Sequence, residues 1–172
     1  MLARDGRALD AELLARLNGA SVAGAAATLR VSTEALHDEL ARAFATDPLS
    51  ACPGAHALLA RLHGRLPVAV ATNAPRMLAA LALRSAGLDG SADGGPGKPA
   101  PDVYLAACAS LDVAPARAIA FEDSPMGATS AQAAGMRLVY VPSADPGEVA
   151  PDVLARRLDE EAVLAALALE QP

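Results

Sequence analysis

The 25 residues from Arg117 to Val141 (RAIAFEDSPMGATSAQAAGMRLVYV) constrain this chain most, because they read without interruption as strand, acidic turn, helix and strand. Ala118 to Phe121 is an apolar run of buried-strand length, and Glu122 and Asp123 follow where such a strand ends. Ser124 is a capping type for the next helix and Pro125 suits its first position. Gly135 closes that helix, and Leu138 to Val141 is a second apolar run of β-favouring residues. The stretch is therefore a βαβ unit with charge at its hinge. Ligands of open α/β sheets sit beyond the carboxyl ends of the strands, so the two adjacent carboxylates occupy the place where chemistry is expected.

The preceding chain divides by its periodicity. Over residues 1–50, Leu9, Leu13 and Leu17 recur every four residues, Val22 to Leu29 follows a cap at Ser21, and Leu36, Leu40 and Phe44 mark a third helix capped by Ser32. Three short helices without a strand suggest a lid or part of one. Asp47, Pro48, Ser50, Pro53 and Gly54 make a turn-rich linker, the best candidate boundary. Ala55 to Leu62 is then a helix stopped by Gly64, Leu66 to Ala71 a strand, Thr72 to Ala74 a turn, and Pro75 opens a helix running to Gly87. Strand, polar turn and helix recur at Ala118 to Ala134, so the two units are expected to lie parallel in one sheet. Residues 89–97 (DGSADGGPG) hold no β-branched or aromatic residue and are expected to be loop. Pro101 opens a helix with Tyr104, Cys108 and Leu111 on one face. Val153 and Leu154 suit a minimal strand, and Leu158 to Leu169 a last helix.

Bulk properties exclude several function classes. The net charge is −6, the pI is near 5.0 and aromatics make only 2% of residues. No basic run or stacking platform is available for nucleic acid, and nothing basic faces an anionic membrane. Arg4, Asp5 and Arg7 break up any signal-peptide core and no apolar run reaches spanning length, so a soluble cytoplasmic protein is expected. Cys52 and Cys108 lack metal-ligand spacing and are expected to be reduced core residues.

Three polar clusters fall at strand ends or loops on one edge of the expected sheet: Thr72 with Asn73, Lys98, and Glu122 with Asp123. A hydroxyl and free N–H groups at a helix N-terminus suit a phosphate. Lys98 adds a compact positive charge, and a carboxylate pair offers the hard oxygens that magnesium takes together with water and substrate phosphate. Together these are parts of a phosphoryl-transfer site. Singly, each has a plainer reading: Thr72 and Asn73 as helix caps, Lys98 as a solvated charge, and Glu122 and Asp123 as turn carboxylates at a helix N-terminus.

The order Thr72-Asn73, Gly97-Lys98-Pro99-Ala100-Pro101-Asp102, then Phe121-Glu122-Asp123-Ser124 with Gly127 and Gly135, resembles the haloacid-dehalogenase-like (HAD) phosphatases, and among them the β-phosphoglucomutase-like branch. The resemblance runs from about Leu9 to Val141. It implies an α/β fold, a doubly wound Rossmann-like core over residues 51–172 with a partial helical cap over residues 1–50. It also implies magnesium-dependent hydrolysis of small phosphate monoesters, of the sugar phosphate or phosphoglycolate type, through an aspartyl-phosphate. Thr72 would then hydrogen-bond the transferring phosphoryl group, Asn73 shape that turn, and Lys98 balance the charge. Asp123 would be this motif's main magnesium ligand, with Glu122 supporting the metal shell. Leu17, Gly19 and Ser21 match the cap's substrate loop. Val22 stands where mutase-like members carry an arginine for a distal phosphate, which favours a monophosphatase.

One motif departs. The family opens on a strand ending in Asp-x-Asp-Gly-Thr, whose leading aspartate is the nucleophile, whereas Asp5-Gly6 and Asp10 follow no apolar run and lack the second aspartate and threonine. The resemblance thus implies an N-terminally truncated core in which the first strand, central in the sheet, is missing, and the third strand as well. Each ladder group left unpaired in a buried centre costs about 1 to 3 kcal/mol. The sheet is expected either to close up or to take its centre from elsewhere. A non-catalytic HAD-like remnant acting as a binding or interaction module is the alternative reading, and a structural α/β domain with chance motifs ranks below both.

Overall fold

The computed structural model describes residues 11–17, 19–88, 92–93, 97–142 and 148–167. The first helices follow their caps. After α1 (Ala11–Leu17), Ser21 Oγ accepts from Gly24 N at 3.1 Å to open α2 (Val22–Leu29), and Ser32 Oγ accepts from Ala35 N at 3.1 Å to open α3 (Thr33–Thr46). Leu9 and Asp10 lie outside the described residues. Val22, Ala26, Leu29 and Leu36 are buried together with Leu78 of α5 (Arg76–Ser85), so a core helix completes the apolar cluster of the helical segment.

The βαβ unit is present as expected. β3 (Ile119–Glu122) leads through α7 (Pro125–Ala133) to β4 (Arg137–Tyr140), and the strands pair in parallel from Ile119 opposite Arg137 to Glu122 opposite Tyr140. β5 (Val153–Leu154) pairs in parallel with the other edge of β4. The two-residue period sorts side chains to opposite faces. Ile119, Phe121, Val139 and Val141 face α4 (Ala55–Leu62) and α8 (Glu161–Ala166). Ala120, Leu138 and Tyr140 face α7 and α6 (Asp102–Ser110). Helices cover both faces of a parallel sheet, the doubly wound α/β arrangement. The small alanines of α7 let it lie close, with Ala128 and Ala131 at most 1% exposed. No described helix is long and apolar enough to cross a membrane.

Four expectations need correction. The strand read at Leu66 to Ala71 enters a ladder only as β1 (Val70–Ala71), leaving Leu66 and Val68 42% and 50% exposed. Its partner lies in the glycine-rich stretch expected to be loop: β2 (Ala92–Asp93) pairs in parallel with β1. Pairing uses the backbone alone, which a count of β-favouring side chains does not register. The two strand-turn-helix units do not share one hydrogen-bonded sheet. Among the described residues β1–β2 and β3–β4–β5 are separate, and the sheet has not closed up. α6 packs against β1, β2 and α7 and so holds the two sheets in place from one face. Finally, Cys108 is buried but Cys52 is exposed, because the linker carries it outside every apolar cluster; both thiols are free.

The linker is nonetheless anchored. Leu158 N donates to Pro53 O at 2.9 Å, and Gly54 takes a left-handed φ of 86° at the start of α4. A Cβ on Gly54 would stand 2.5 Å from Asp159 N and 2.7 Å from its Oδ1. Gly54→Ala should therefore cost about 1 to 3 kcal/mol of stability. Urea unfolding should show a lower midpoint at unchanged slope, and an unmoved midpoint would mean that this tie does not exist in solution.

Candidate active site

The carboxyl ends of β1 and β3 and the loop before α6 bring the predicted polar residues together. In the turn after β1, Thr72 Oγ1 accepts from Ala74 N at 3.1 Å. The Asn73 amide reaches further in both directions: Lys98 N donates to its Oδ1 at 2.6 Å, and its Nδ2 donates to Gly19 O at 2.9 Å. One side chain thus joins the turn, the lysine loop and the loop between α1 and α2. Gly19 has a φ of 75°, and a Cβ there would lie 2.8 Å from Ser124 Oγ, so the helical segment rests directly on the acidic turn.

Below that contact lies a buried ion pair. Lys98 Nζ bonds Glu122 Oε1, with side chains 10% and 5% exposed. The Tyr104 hydroxyl donates to the same oxygen, and Lys98 Nζ stands 5.1 Å from the centre of the Tyr104 ring. Ser124 Oγ donates to Glu122 Oε2 at 3.4 Å while accepting from Gly127 N at 3.1 Å in the first turn of α7. A Cβ at Gly127 would overlap the Glu122 carboxylate, so the glycine is what leaves room for the charge.

Asp123 contrasts with its neighbour. It is exposed, and no hydrogen bond or ion pair engages its carboxylate among the described residues. Its charge is felt nearby: burial raises the Tyr140 phenol and Asp123 adds to the shift. The Cys52 thiol is likewise raised, by burial first and by Asp123 second. A free carboxylate at a strand end, beside a lysine held by a second carboxylate, offers oxygen ligands to a hard cation and positive charge to an anion. The donor set fits magnesium through Asp123, with Glu122 already bonded to Lys98, Tyr104 and Ser124. Among the described residues no three His, Cys, Asp or Glu side chains cluster as a complete metal cage.

Asn73, Lys98 and Glu122 are therefore joined by direct bonds, with Gly19 tied to Asn73, while Thr72 and Asp123 stand beside them as chain neighbours. Ser21 differs, because its hydroxyl is engaged at the N-terminus of α2. Asp5 and Asp10 lie outside the described residues. The sequence reading placed Tyr104 only on a helix face and missed its bond to Glu122. A signal was available: among 14 basic residues Lys98 is the lone lysine, and Tyr104 follows it at the first turn of the next helix.

A family profile described as haloacid dehalogenase-like hydrolase matches residues 4–135, which include all of these side chains. The chain belongs to that family. Validoxylamine A 7'-phosphate phosphatase of Streptomyces hygroscopicus subsp. limoneus is 38% identical to this HAD-like chain over 117 residues, 62% of the chain and 55% of the relative. The crystal structure of CbbY from Rhodobacter sphaeroides in complex with phosphate superposes with a TM-score of 0.75 at 25% identity, covering 95% of this chain and 88% of that one. β-Phosphoglucomutase from Clostridium difficile shares the fold, with a TM-score of 0.71 at 18% identity over 89% and 78% of the two chains. The HAD-like chain spans between 20% and 55% of the length of the first curated relatives it matches.

Removing one partner of the buried pair leaves an uncompensated charge. Lys98→Met should lower unfolding stability by about 3 kcal/mol, and adding Glu122→Gln should restore much of it. Chemical denaturation of both variants checks this; a stable single variant would mean that the pair is not buried. Asn73→Ala should speed amide exchange in residues 19–21, whereas unchanged protection there would remove the bridge to Gly19.

Proposed function

We propose that this chain carries the phosphate- and magnesium-binding corner of a hydrolase for small phosphate monoesters, of the sugar phosphate or phosphoglycolate type. The observation that carries the reading is the free Asp123 carboxylate beside the buried Lys98–Glu122 pair at the end of β3. A bound magnesium would supply charge neutralisation for the phosphoryl oxygens. Asp123 would be its main protein ligand, and Glu122 would support that shell while anchoring Lys98. Thr72 would hydrogen-bond the phosphoryl group and Asn73 hold that turn against the lysine loop. Residues 1–50 would serve as a partial cap over the core of residues 51–172, with Gly19 and Ser21 in its substrate loop. A phosphatase name on the Streptomyces relative and the phosphate in the CbbY crystal structure support phosphate esters as the ligand class. They favour a site that belongs to a hydrolase, to be completed by a nucleophilic carboxylate, over a remnant built only to bind.

The chemistry of the family also needs a nucleophilic carboxylate, a role that Thr72 and Lys98 cannot take. The 172-residue chain is therefore expected to bind phosphate and magnesium without turning over an aryl phosphate. Calorimetric titration should show magnesium binding weakened about tenfold or more in Asp123→Asn, a loss of about 1.4 kcal/mol. Phosphate binding should be weakened similarly in Lys98→Met. The exposed Cys52 thiol supplies an independent readout. Neutralising Asp123 lowers the thiol's raised pKa and increases its thiolate fraction, so magnesium should speed Cys52 alkylation in the wild type and not in Asp123→Asn. Equal magnesium affinity in Asp123→Asn would remove that residue from the site. Magnesium-dependent phosphate release by the 172-residue chain would show that it holds a nucleophile after all.

A further inference from the structure

We infer that Tyr104 is a positioning residue of this site, its buried hydroxyl holding the Glu122 carboxylate that in turn holds the Lys98 ammonium in place. The role in binding rests on the phosphate-site reading above; the positioning itself is a matter of local geometry.

Three observations converge. Tyr104 is 5% exposed, and its ring lies in the apolar cluster of Val103, Ala120, Ala128 and Leu138, a niche that a phenylalanine would fill as well. What the tyrosine adds is one hydroxyl, and a buried hydroxyl needs a partner. It takes the same Glu122 oxygen that receives Lys98, not a backbone carbonyl. Two donors on one oxygen fix the orientation of the carboxylate, directing the other oxygen toward Ser124.

The same ring also stands beneath the Lys98 ammonium, 5.1 Å from its centroid. A lysine carries a compact charge on a flexible four-carbon stem, and that stem must be held to place the charge reproducibly. Tyr104 meets it twice, directly through the ring face and indirectly through Glu122. Pro99 and Pro101 stiffen the short segment linking the two residues, so lysine and tyrosine are placed by one piece of backbone. Burial, reinforced by the neighbouring Glu122, pushes the phenol well above its ordinary range, which keeps it a donor. Tyr140, the other tyrosine, is 1% exposed, and among the described residues its hydroxyl makes no hydrogen bond to the pair.

Because Lys98 is the lone lysine, its side-chain ammonium gives a single assignable resonance in a 15N-labelled chain. That signal should be visible in the wild type, where burial and pairing slow exchange with water. Tyr104→Phe should accelerate its exchange about tenfold or more, as expected for loss of a hydrogen bond to a charged group, while exchange in the Tyr140→Phe control stays close to wild type. Glu122→Gln should do the same, and the double variant should add nothing to Glu122→Gln alone. Wild-type exchange in Tyr104→Phe, or losses that add in the double variant, would overturn the inference. Should Tyr104→Phe not fold, a 13Cζ-tyrosine label reads the same bond from its other end. Glu122→Gln should then move one of the two tyrosine resonances, and two unmoved resonances would overturn the inference. Inorganic phosphate separates this outcome from the reading on which it rests. A wild-type ammonium resonance that ignores phosphate sinks the phosphate site, whereas the exchange rates in the free protein still decide the role of Tyr104.

Discussion

A carboxylate buried in a protein must be paired and hydrogen-bonded, and in this chain that requirement falls on Glu122. Lys98 supplies the opposite charge, Tyr104 and Ser124 supply hydroxyls, and Gly127 supplies space. These residues come from a loop, the first turn of α6, the end of β3 and the first turn of α7. Satisfying one charged group therefore sets the relative placement of four elements. Asp123, next in sequence, is spared every such obligation among the described residues and faces outward. The division of labour between two adjacent carboxylates follows from where β3 ends, since Glu122 is its last residue, directed into the core, and Asp123 begins the exposed turn.

The core around this pair is built from small parts. β3 and β4 bury Ala120, Leu138, Val139 and Tyr140, and α7 approaches through alanines and Gly127. Close approach brings the N-terminus of α7 up to the acidic turn, which keeps Ser124 within reach of Glu122. On the other side, β1 and β2 form a pair of their own, linked to the larger sheet through α6. The helix that carries Tyr104 thus has two jobs: it spans two sheets and positions the charge at the end of one of them.

Much of this was legible from residues alone, for reasons that can be named. Ser21, Ser32 and Ser124 cap the helices they precede, because capping depends on a few adjacent atoms. The βαβ unit followed from periodicity, and the joining of Asn73, Lys98 and Glu122 from the polar turns that follow parallel strands, although among the described residues β1 and β3 belong to separate sheets. Long-range backbone pairing was not legible: Ala92 and Asp93 join β1 without any β-favouring side chain. Nor was Cys52, whose exposure depends on the path of the linker. Tyr104 escaped because an aromatic residue on a helix face looks like core, and its hydroxyl acquires meaning only once Glu122 is known to lie against it.

The Asn73 amide has a consequence for how such a molecule admits its ligand. It holds Gly19 with one end and Lys98 with the other. Lifting the helical segment away would strip a partner from the amide that steadies the lysine loop, and displacing that loop would loosen the helical segment. A ligand whose binding shifts the lysine loop would therefore, through this one amide, also bias the contact at Gly19.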